Sequence, residues 1–85
     1  MRADDFRDQL HTEFAEATQR GASYVDINSG ELHRKVGGYP GPDHSMPSCC
    51  QVMYAEQTAT DRVLNAPPKE KGASLTIRYQ LPRRP

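Results

Sequence analysis

The sequence predicts a single α+β domain in which a helix, a short strand and two further helices precede a C-terminal β-hairpin. Three observations predict this class: an apolar stripe of helical spacing in residues 3–21, a helix-capping signal at Asn28, and strict alternation of apolar and polar residues over 73–81. A chain of 85 residues forms one small core, with an ordered part expected over about residues 4–81 and a tail over 82–85.

Residues 3–21 give the strongest helical pattern in the chain. Asp4 or Asp5 is expected to cap the N-terminus of this helix, and Gly21 is expected to end it. Four apolar residues recur at the spacing of one helix face: Phe6, Leu10, Phe14 and Ala17. The opposite face is charged and is expected to face solvent.

A short strand and a second helix are predicted next. Residues 23–27 are rich in β-favouring side chains and too few for a helix. Asn28 stands three residues before Glu31, which is the spacing of a capping box for a helix that runs through Val36. The glycine pair that begins at Gly37 is expected to end that helix.

A third helix is predicted after a connector that contains two prolines. Ser45 is its expected cap, and Pro47 lies in the first turn, where the missing N–H costs little. Helical spacing assigns one face to Cys49, Val52, Met53 and Glu56. The remaining positions are expected on the surface: Ser48, Cys50, Gln51, Tyr54 and Gln57.

The last third of the chain predicts a β-hairpin. Residues 61–68 form a strand that stops at two prolines, and residues 69–72 form a basic turn. Residues 73–81 alternate with period two, which is the best strand signal in the chain. The apolar face of this strand comprises Leu75, Ile77, Tyr79 and Leu81, and the polar face comprises Ser74, Thr76, Arg78 and Gln80.

The predicted core draws on all of these elements. Its members are Phe6, Leu10, Phe14, Val25, Ile27, Leu32, Val36, Val52, Met53, Val63, Leu64, Leu75, Ile77, Tyr79 and Leu81. A core of this size leaves no room for a deep substrate pocket, and we expect no enzymatic activity.

Charge is balanced overall but unevenly distributed. The chain has 11 basic and 11 acidic residues, for a net charge of zero. Residues 1–50 carry five basic and eight acidic side chains, whereas residues 51–85 carry six basic and three acidic ones. A neutral domain is a weaker candidate for nucleic-acid binding than a basic one, and any such binding is expected to involve the basic C-terminal third.

His33, His44, Cys49 and Cys50 belong to the residue types that bind zinc or act as nucleophiles. Their spacing argues against both roles, because adjacent cysteines on a helix point about 100° apart and match no paired-ligand pattern. Cys49 is expected to be a small core residue, and His33 a surface or boundary residue of the second helix. We therefore predict no metal site, no catalytic residue and no cofactor.

The adjacent cysteines also indicate the cellular compartment of the protein. Neighbouring cysteines seldom close an ordinary disulfide, since the distance and direction of their side chains are wrong. The chain has no recognisable signal peptide and no apolar run of membrane length. A reduced, cytoplasmic protein without membrane contact is expected.

The order helix, short strand, helix, helix, strand, turn, strand resembles the winged helix-turn-helix fold over residues 4–81. The resemblance implies that the second and third helices form the helix-turn-helix, here with an elongated turn, and that the hairpin is the wing. The segments VDINSGELHRKVGGYPGP, MPSCC and GASLTIRYQLPR further resemble a small bacterial family of unassigned function, some of whose relatives occur in HNH-nuclease or restriction contexts. That resemblance implies a basic residue before Met-Pro, where this chain has Ser45.

The winged-helix resemblance implies a small regulator or accessory of DNA processing that binds double-stranded DNA with its third helix and wing. It assigns base reading to Ser48, Gln51, Tyr54 and, in addition, Gln57. It assigns phosphate contacts to Arg34, Lys35, Lys69, Lys71 and Arg78. Against this assignment, residues 45–59 contain no Lys or Arg, and Glu70 separates the two hairpin lysines.

The alternative is a protein-interaction module on the same fold. It is motivated by the zero net charge and by a third helix without a basic residue. Tyr39, Met46 and Tyr54 would then form an exposed apolar patch. Packing around the long second turn explains these three residues equally well, so both alternatives stay open.

Overall fold

A computed structural model describes residues 2–37, 41, 45–69 and 71–83. The elements in chain order are α1 (Ala3–Gln19), β1 (Tyr24–Asn28), α2 (Ser29–Val36), α3 (Met46–Ala55), β2 (Arg62–Asn65) and β3 (Thr76–Gln80). The strands form one antiparallel sheet in the order β1-β3-β2. The predicted α+β class, with three helices and antiparallel strands, is therefore confirmed.

α1 begins two or three residues earlier than a cap at Asp4 or Asp5 would place it. Asp5 lies in the first turn, where its carboxylate accepts a hydrogen bond of 2.8 Å from the backbone N–H of Arg2. Arg2 is thus the N-cap residue, and the prediction of a cap at Asp4 or Asp5 is wrong. The helix ends as predicted before Gly21, whose φ of 83° is readily adopted only by glycine.

The helices are short. α1 is the longest of those described, with 17 residues, and its exposed side is charged. In the part of the chain that the structure describes, no helix combines the length and the apolar composition that crossing a bilayer requires.

The core lies between the sheet and the inner sides of the three helices. Its buried apolar members are Phe6, Leu10, Phe14, Ala17, Ile27, Leu32, Met46, Cys49, Cys50, Val52, Met53, Leu75, Ile77 and Tyr79. The four other predicted members that pack at its edge are half-buried: Val25, Val36, Val63 and Leu81. The predicted apolar face of the last strand is thus confirmed, since Ile77 and Tyr79 of β3 and Leu75 just before it are fully covered.

Leu64 is the predicted core residue that the structure places in solvent, with 42% of its surface exposed. Val63 pairs with Ile77, and Asn65 pairs with Thr76, so Leu64 is the extra residue of a β-bulge. Because neighbouring side chains of a strand point to opposite faces, an inward Val63 directs Leu64 outward.

Asn28 connects the end of β1, the start of α2 and the segment before β3. Its side-chain oxygen accepts a hydrogen bond of 3.1 Å from the N–H of Glu31, as the predicted capping signal requires. Its side-chain N–H group donates to the carbonyl of Ala73 at 3.0 Å and to the hydroxyl of Thr76 at 3.3 Å. One amide therefore holds three pieces of chain together.

The two residues after Asn28 hold the same segment through their backbone. The N–H of Ser29 donates to the Leu75 carbonyl at 2.8 Å, and the N–H of Gly30 donates to the Ala73 carbonyl at 3.1 Å. A Cβ at Gly30 would lie 3.0 Å from that Ala73 oxygen, which is tighter than most such contacts, so the approach favours glycine. As a result Ala73–Leu75, predicted as the start of the last strand, lies against the N-terminus of α2.

Replacing Asn28 with alanine is expected to lower the free energy of unfolding by about 1–2 kcal/mol, because the cap is lost and buried backbone groups lose their partner. Ser45→Ala is a matched control. Ser45 occupies the N-cap position of α3, but its side chain makes no capping hydrogen bond, contrary to the prediction. Urea denaturation should show a change below about 0.5 kcal/mol for this control. Similar losses for both variants would contradict the assigned role of Asn28.

Arg83 holds the C-terminal segment, part of the predicted tail, against the domain. Its Nη1 lies 2.8 Å from both carboxylate oxygens of Asp61, and its Nη2 donates to the carbonyl of Glu56 at 2.6 Å. The guanidinium also lies over the rings of Phe14 and Tyr79, at 4.9 and 5.2 Å from their centres. Residues 84–85 lie outside the described part.

Asp61 is the acceptor at the centre of this arrangement. Partial burial raises the pKa of its carboxyl group, but hydrogen bonds from the backbone N–H groups of Gln80 and Thr58 and from Arg83 outweigh burial and hold the pKa below its usual value. The two N–H groups lie 2.8 and 2.7 Å from the carboxylate. Asp61 is therefore ionised in the folded protein at neutral pH.

Acidification is expected to remove the stability that the ionised Asp61 contributes. Because its folded pKa lies below the unfolded value of about 3.9, the contribution is complete above that pH and is lost as the pH falls through the folded pKa. Asp61→Asn should be less stable at neutral pH and lose less stability between about pH 5 and pH 2. Urea denaturation across this range measures both. Equal acid losses in the two proteins would contradict the prediction.

Candidate nucleic-acid interface

α3 has a buried side and an outward side. Its five buried residues are Met46, Cys49, Cys50, Val52 and Met53. At about 100° per residue, the other five positions fall within one arc of about 120°. This surface, here named the outward arc of α3, comprises Pro47, Ser48, Gln51, Tyr54 and Ala55. Gln51 lies at its centre.

The outward arc is accessible and uncharged. Pro47, Gln51 and Ala55 are exposed, whereas Ser48 and Tyr54 are half-buried. The three predicted base readers of this helix thus lie together on one surface. Pro47 and Ala55 were not among the predicted site residues, although each stands four residues from Gln51, and that spacing is the signal that would have found them.

Cys49 and Cys50 face inward. The Sγ atom of Cys49 lies 3.6 Å from the carbonyl oxygen of Ser29, and that of Cys50 lies 3.4 Å from the carbonyl oxygen of Gly72. Burial, with a smaller contribution from Cys50, raises the pKa of the Cys49 thiol to about 12. Cys49 is therefore a protonated core residue, as predicted, whereas the predicted surface position of Cys50 is wrong.

The Cys50 contact brings the hairpin turn beside the outward arc. On the helix surface Cys50 neighbours Pro47 and Tyr54, which form one border of the arc. Its partner Gly72 is preceded directly by Lys71, and both Lys71 and Lys69 are exposed. The turn that carries the predicted phosphate-binding lysines therefore ends at a residue that contacts the predicted reading helix.

Two other predicted phosphate contacts are engaged elsewhere. Lys35 donates to both carboxylate oxygens of Glu13, at 2.8 and 2.9 Å. Arg78 lies on the outer face of the sheet, where it donates to both oxygens of Asp26 at 2.8 and 3.1 Å. Because each cation is balanced by a carboxylate, neither offers a net charge to phosphate. Arg34, the remaining predicted contact, is exposed on α2.

His33 is buried, which makes its predicted surface position wrong. Its ring packs edge-on against Phe6, with 4.8 Å between centres. Its Nε2 accepts a hydrogen bond of 2.9 Å from the N–H of Ser45, which requires the neutral ring. His33 thereby fixes the start of α3 relative to α2.

The structure describes only some of the residues considered above for a metal site or an exposed apolar patch. Within residues 2–37, 41, 45–69 and 71–83, no three His, Cys, Asp or Glu side chains converge. His44 and Tyr39 lie outside these ranges. Met46 is buried at 5% exposure, so it belongs to the core and not to the predicted exposed patch, while Tyr54 lies at the edge of the core.

Comparisons with protein-family models, curated proteins and solved structures found no match to this chain. The two resemblances noted in the sequence, to the winged-helix fold and to a small bacterial family, therefore stay predictions. Any functional proposal depends on the geometry of α3 and the hairpin.

Proposed function

We propose that this domain is a non-enzymatic winged-helix protein that binds double-stranded DNA. One observation carries the proposal: an uncharged, accessible helix face lies beside a hairpin turn that exposes Lys69 and Lys71. α3 would enter the major groove, and the hairpin would contact the phosphate backbone.

The order of the elements supports this proposal. α2 and α3 would form the helix-turn-helix, with residues 37–45 as an elongated turn. The hairpin of β2 and β3 follows as the wing, and β1 pairs with β3 to complete the sheet. The bond from Ser45 to His33 gives the two helices a defined relative position despite the long connection.

The charge distribution supports the same orientation. α1 packs against the buried side of α3, so the outward arc faces away from α1. Acidic residues occupy exposed positions of α1: Asp4, Asp5, Asp8 and Glu16. The hairpin lysines and Arg34 lie on other elements. A duplex would therefore approach the arc and avoid the acidic side.

A fluorescence-anisotropy titration of random-sequence duplex DNA tests the proposal. We expect binding at about 50 mM salt that weakens as salt rises, because phosphate contacts release counterions. With two contacts, from Lys69 and Lys71, the slope of log affinity against log salt should be about −1.8. No binding at low salt overturns the proposal.

The second candidate function is protein contact through the outward arc. It is favoured by the composition of the arc, which contains Pro47, Tyr54 and Ala55 and no charge. Contact between two copies would bury apolar surface and so persist at high salt. Sedimentation equilibrium at low and high salt measures this: a salt-resistant dimer supports protein contact, and a monomer at both salt concentrations counts against it.

A further inference from the structure

We infer that the outward arc of α3 recognises A·T base pairs, with Gln51 as the residue that determines specificity. The inference rests on the proposed DNA binding and adds the class of sequence that is bound. Adenine would be read by the Gln51 amide, and the thymine methyl group by the apolar side chains beside it.

The donors and acceptors on the arc match adenine and not guanine. In the major groove guanine presents two acceptors, which a pair of donors from Arg or Lys satisfies. The arc offers no such side chain, and none occurs from Ser45 to Ala59. A glutamine amide carries one donor group and one acceptor, which complement N7 and the N6 amino group of adenine.

The position of Gln51 suits this role. It lies at the centre of the arc and is exposed, so it is the first side chain that a groove approached by this face would meet. Within the described part of the chain its amide forms no hydrogen bond, and both of its polar groups are open to a ligand.

The surroundings of Gln51 complete a surface for A·T pairs. Pro47 and Ala55 are exposed one turn before and after it, and the half-buried Tyr54 lies beside them. Such apolar groups contact the C5-methyl group of thymine, which a G·C pair lacks. Because this face carries no charge, most of the affinity for DNA would come from the hairpin lysines. Affinity and base preference would then depend on different residues.

α3 is held firmly enough to present this surface in one orientation. The hydroxyl of Tyr79 donates to the carbonyl of Met53 at 2.7 Å. Cys50 contacts Gly72, and the carbonyl of Glu56 after the last turn accepts from Arg83 at 2.6 Å. Contacts along the helix therefore reduce the cost of ordering it on DNA.

The test is a competition titration with A·T-rich and G·C-rich duplexes of equal length at low salt. We expect roughly tenfold tighter binding to the A·T-rich duplex. Gln51→Ala should bring the two affinities close together, because the adenine contact is lost and binding to the A·T-rich duplex weakens. Alanine at this exposed helical position favours the helix, so the variant is expected to fold. Gln19→Ala, the same substitution at an exposed position of α1, is the control and should keep the preference.

Two modified duplexes test the contact with the thymine methyl group and the reading of the major groove separately. Replacing thymine with uracil removes the C5-methyl group and should weaken binding to the A·T-rich duplex. Replacing guanine with inosine makes the minor groove resemble that of an A·T pair but keeps the major-groove acceptors of guanine. Reading through the major groove predicts that this duplex binds as weakly as the G·C-rich one.

The outcomes separate this inference from the proposed function. Salt-dependent binding without a preference between the two duplexes overturns the A·T inference and leaves DNA binding intact. An A·T preference that persists in Gln51→Ala, or tight binding to the inosine duplex, also overturns it. No binding to any duplex overturns both.

Discussion

Replacing Arg83 with methionine is expected to lower the free energy of unfolding by about 3 kcal/mol. The side chain of Asp61 has no exposed surface and that of Arg83 is only 16% exposed, so the pair lies largely out of solvent. Removing the guanidinium leaves a buried carboxylate without its cation and the Glu56 carbonyl without its 2.6 Å donor. Methionine can pack in place of the aliphatic part of the arginine side chain. The loss of stability is then limited to that of the electrostatic contacts.

Urea denaturation at neutral pH measures this loss, and Arg78→Met is the matched control. Arg78 and Asp26 form the same kind of two-bond contact, but their side chains are 35% and 37% exposed. Solvent screening weakens such an exposed pair, so Arg78→Met should destabilise the domain much less than Arg83→Met. Equal destabilisation by the two substitutions would show that burial of the Arg83 contact is not what stabilises the domain.

Reversing the two hairpin charges, with Lys69→Glu and Lys71→Glu together, is expected to weaken binding to random duplex DNA by more than about tenfold at low salt. Two phosphate contacts become repulsive, and the slope of log affinity against log salt should become less negative by about two. Both lysines are exposed, so folding should be unaffected. Anisotropy titrations at several salt concentrations give the slope directly.

A control for net charge uses two arginines at the ends of α1, the helix that packs against the buried side of α3. Arg2→Glu with Arg20→Glu makes the same change in net charge, but these residues flank α1, at its N-cap and C-cap. The slope should then stay near that of the unmodified protein. If both double variants weaken binding alike, overall charge and not the hairpin governs the association.

The periodic parts of the fold were predictable from the sequence. The stripe from Phe6 to Ala17 and the alternation of Leu75, Ile77 and Tyr79 each report burial, because one face of a regular element meets the core. Leu64 was assigned to the core together with Val63, although neighbouring side chains of a strand point to opposite faces. Which of the two faces inward depends on the pairing of β2 with β3. Local patterns do not contain that information.

Long-range contacts account for the remaining differences. The burial of His33 depends on Phe6 and Ser45, and that of Cys50 depends on where the hairpin lies. The same holds for the candidate site. Helical spacing predicted which α3 residues share a face, but the carboxylate partners of two predicted phosphate contacts lie 22 and 52 residues away in sequence.

Gly72 is fixed to the core of the domain and marks the point where the hairpin turn ends. The Gly72 carbonyl receives both the hydroxyl of Ser29 and the thiol of Cys50, and a Cβ at Gly72 would lie 3.2 Å from the ring of the buried Pro67. The chain is thus held in place on both sides of the turn, at Pro67 and at Gly72. The sequence between these two residues can therefore be exchanged without repacking the core.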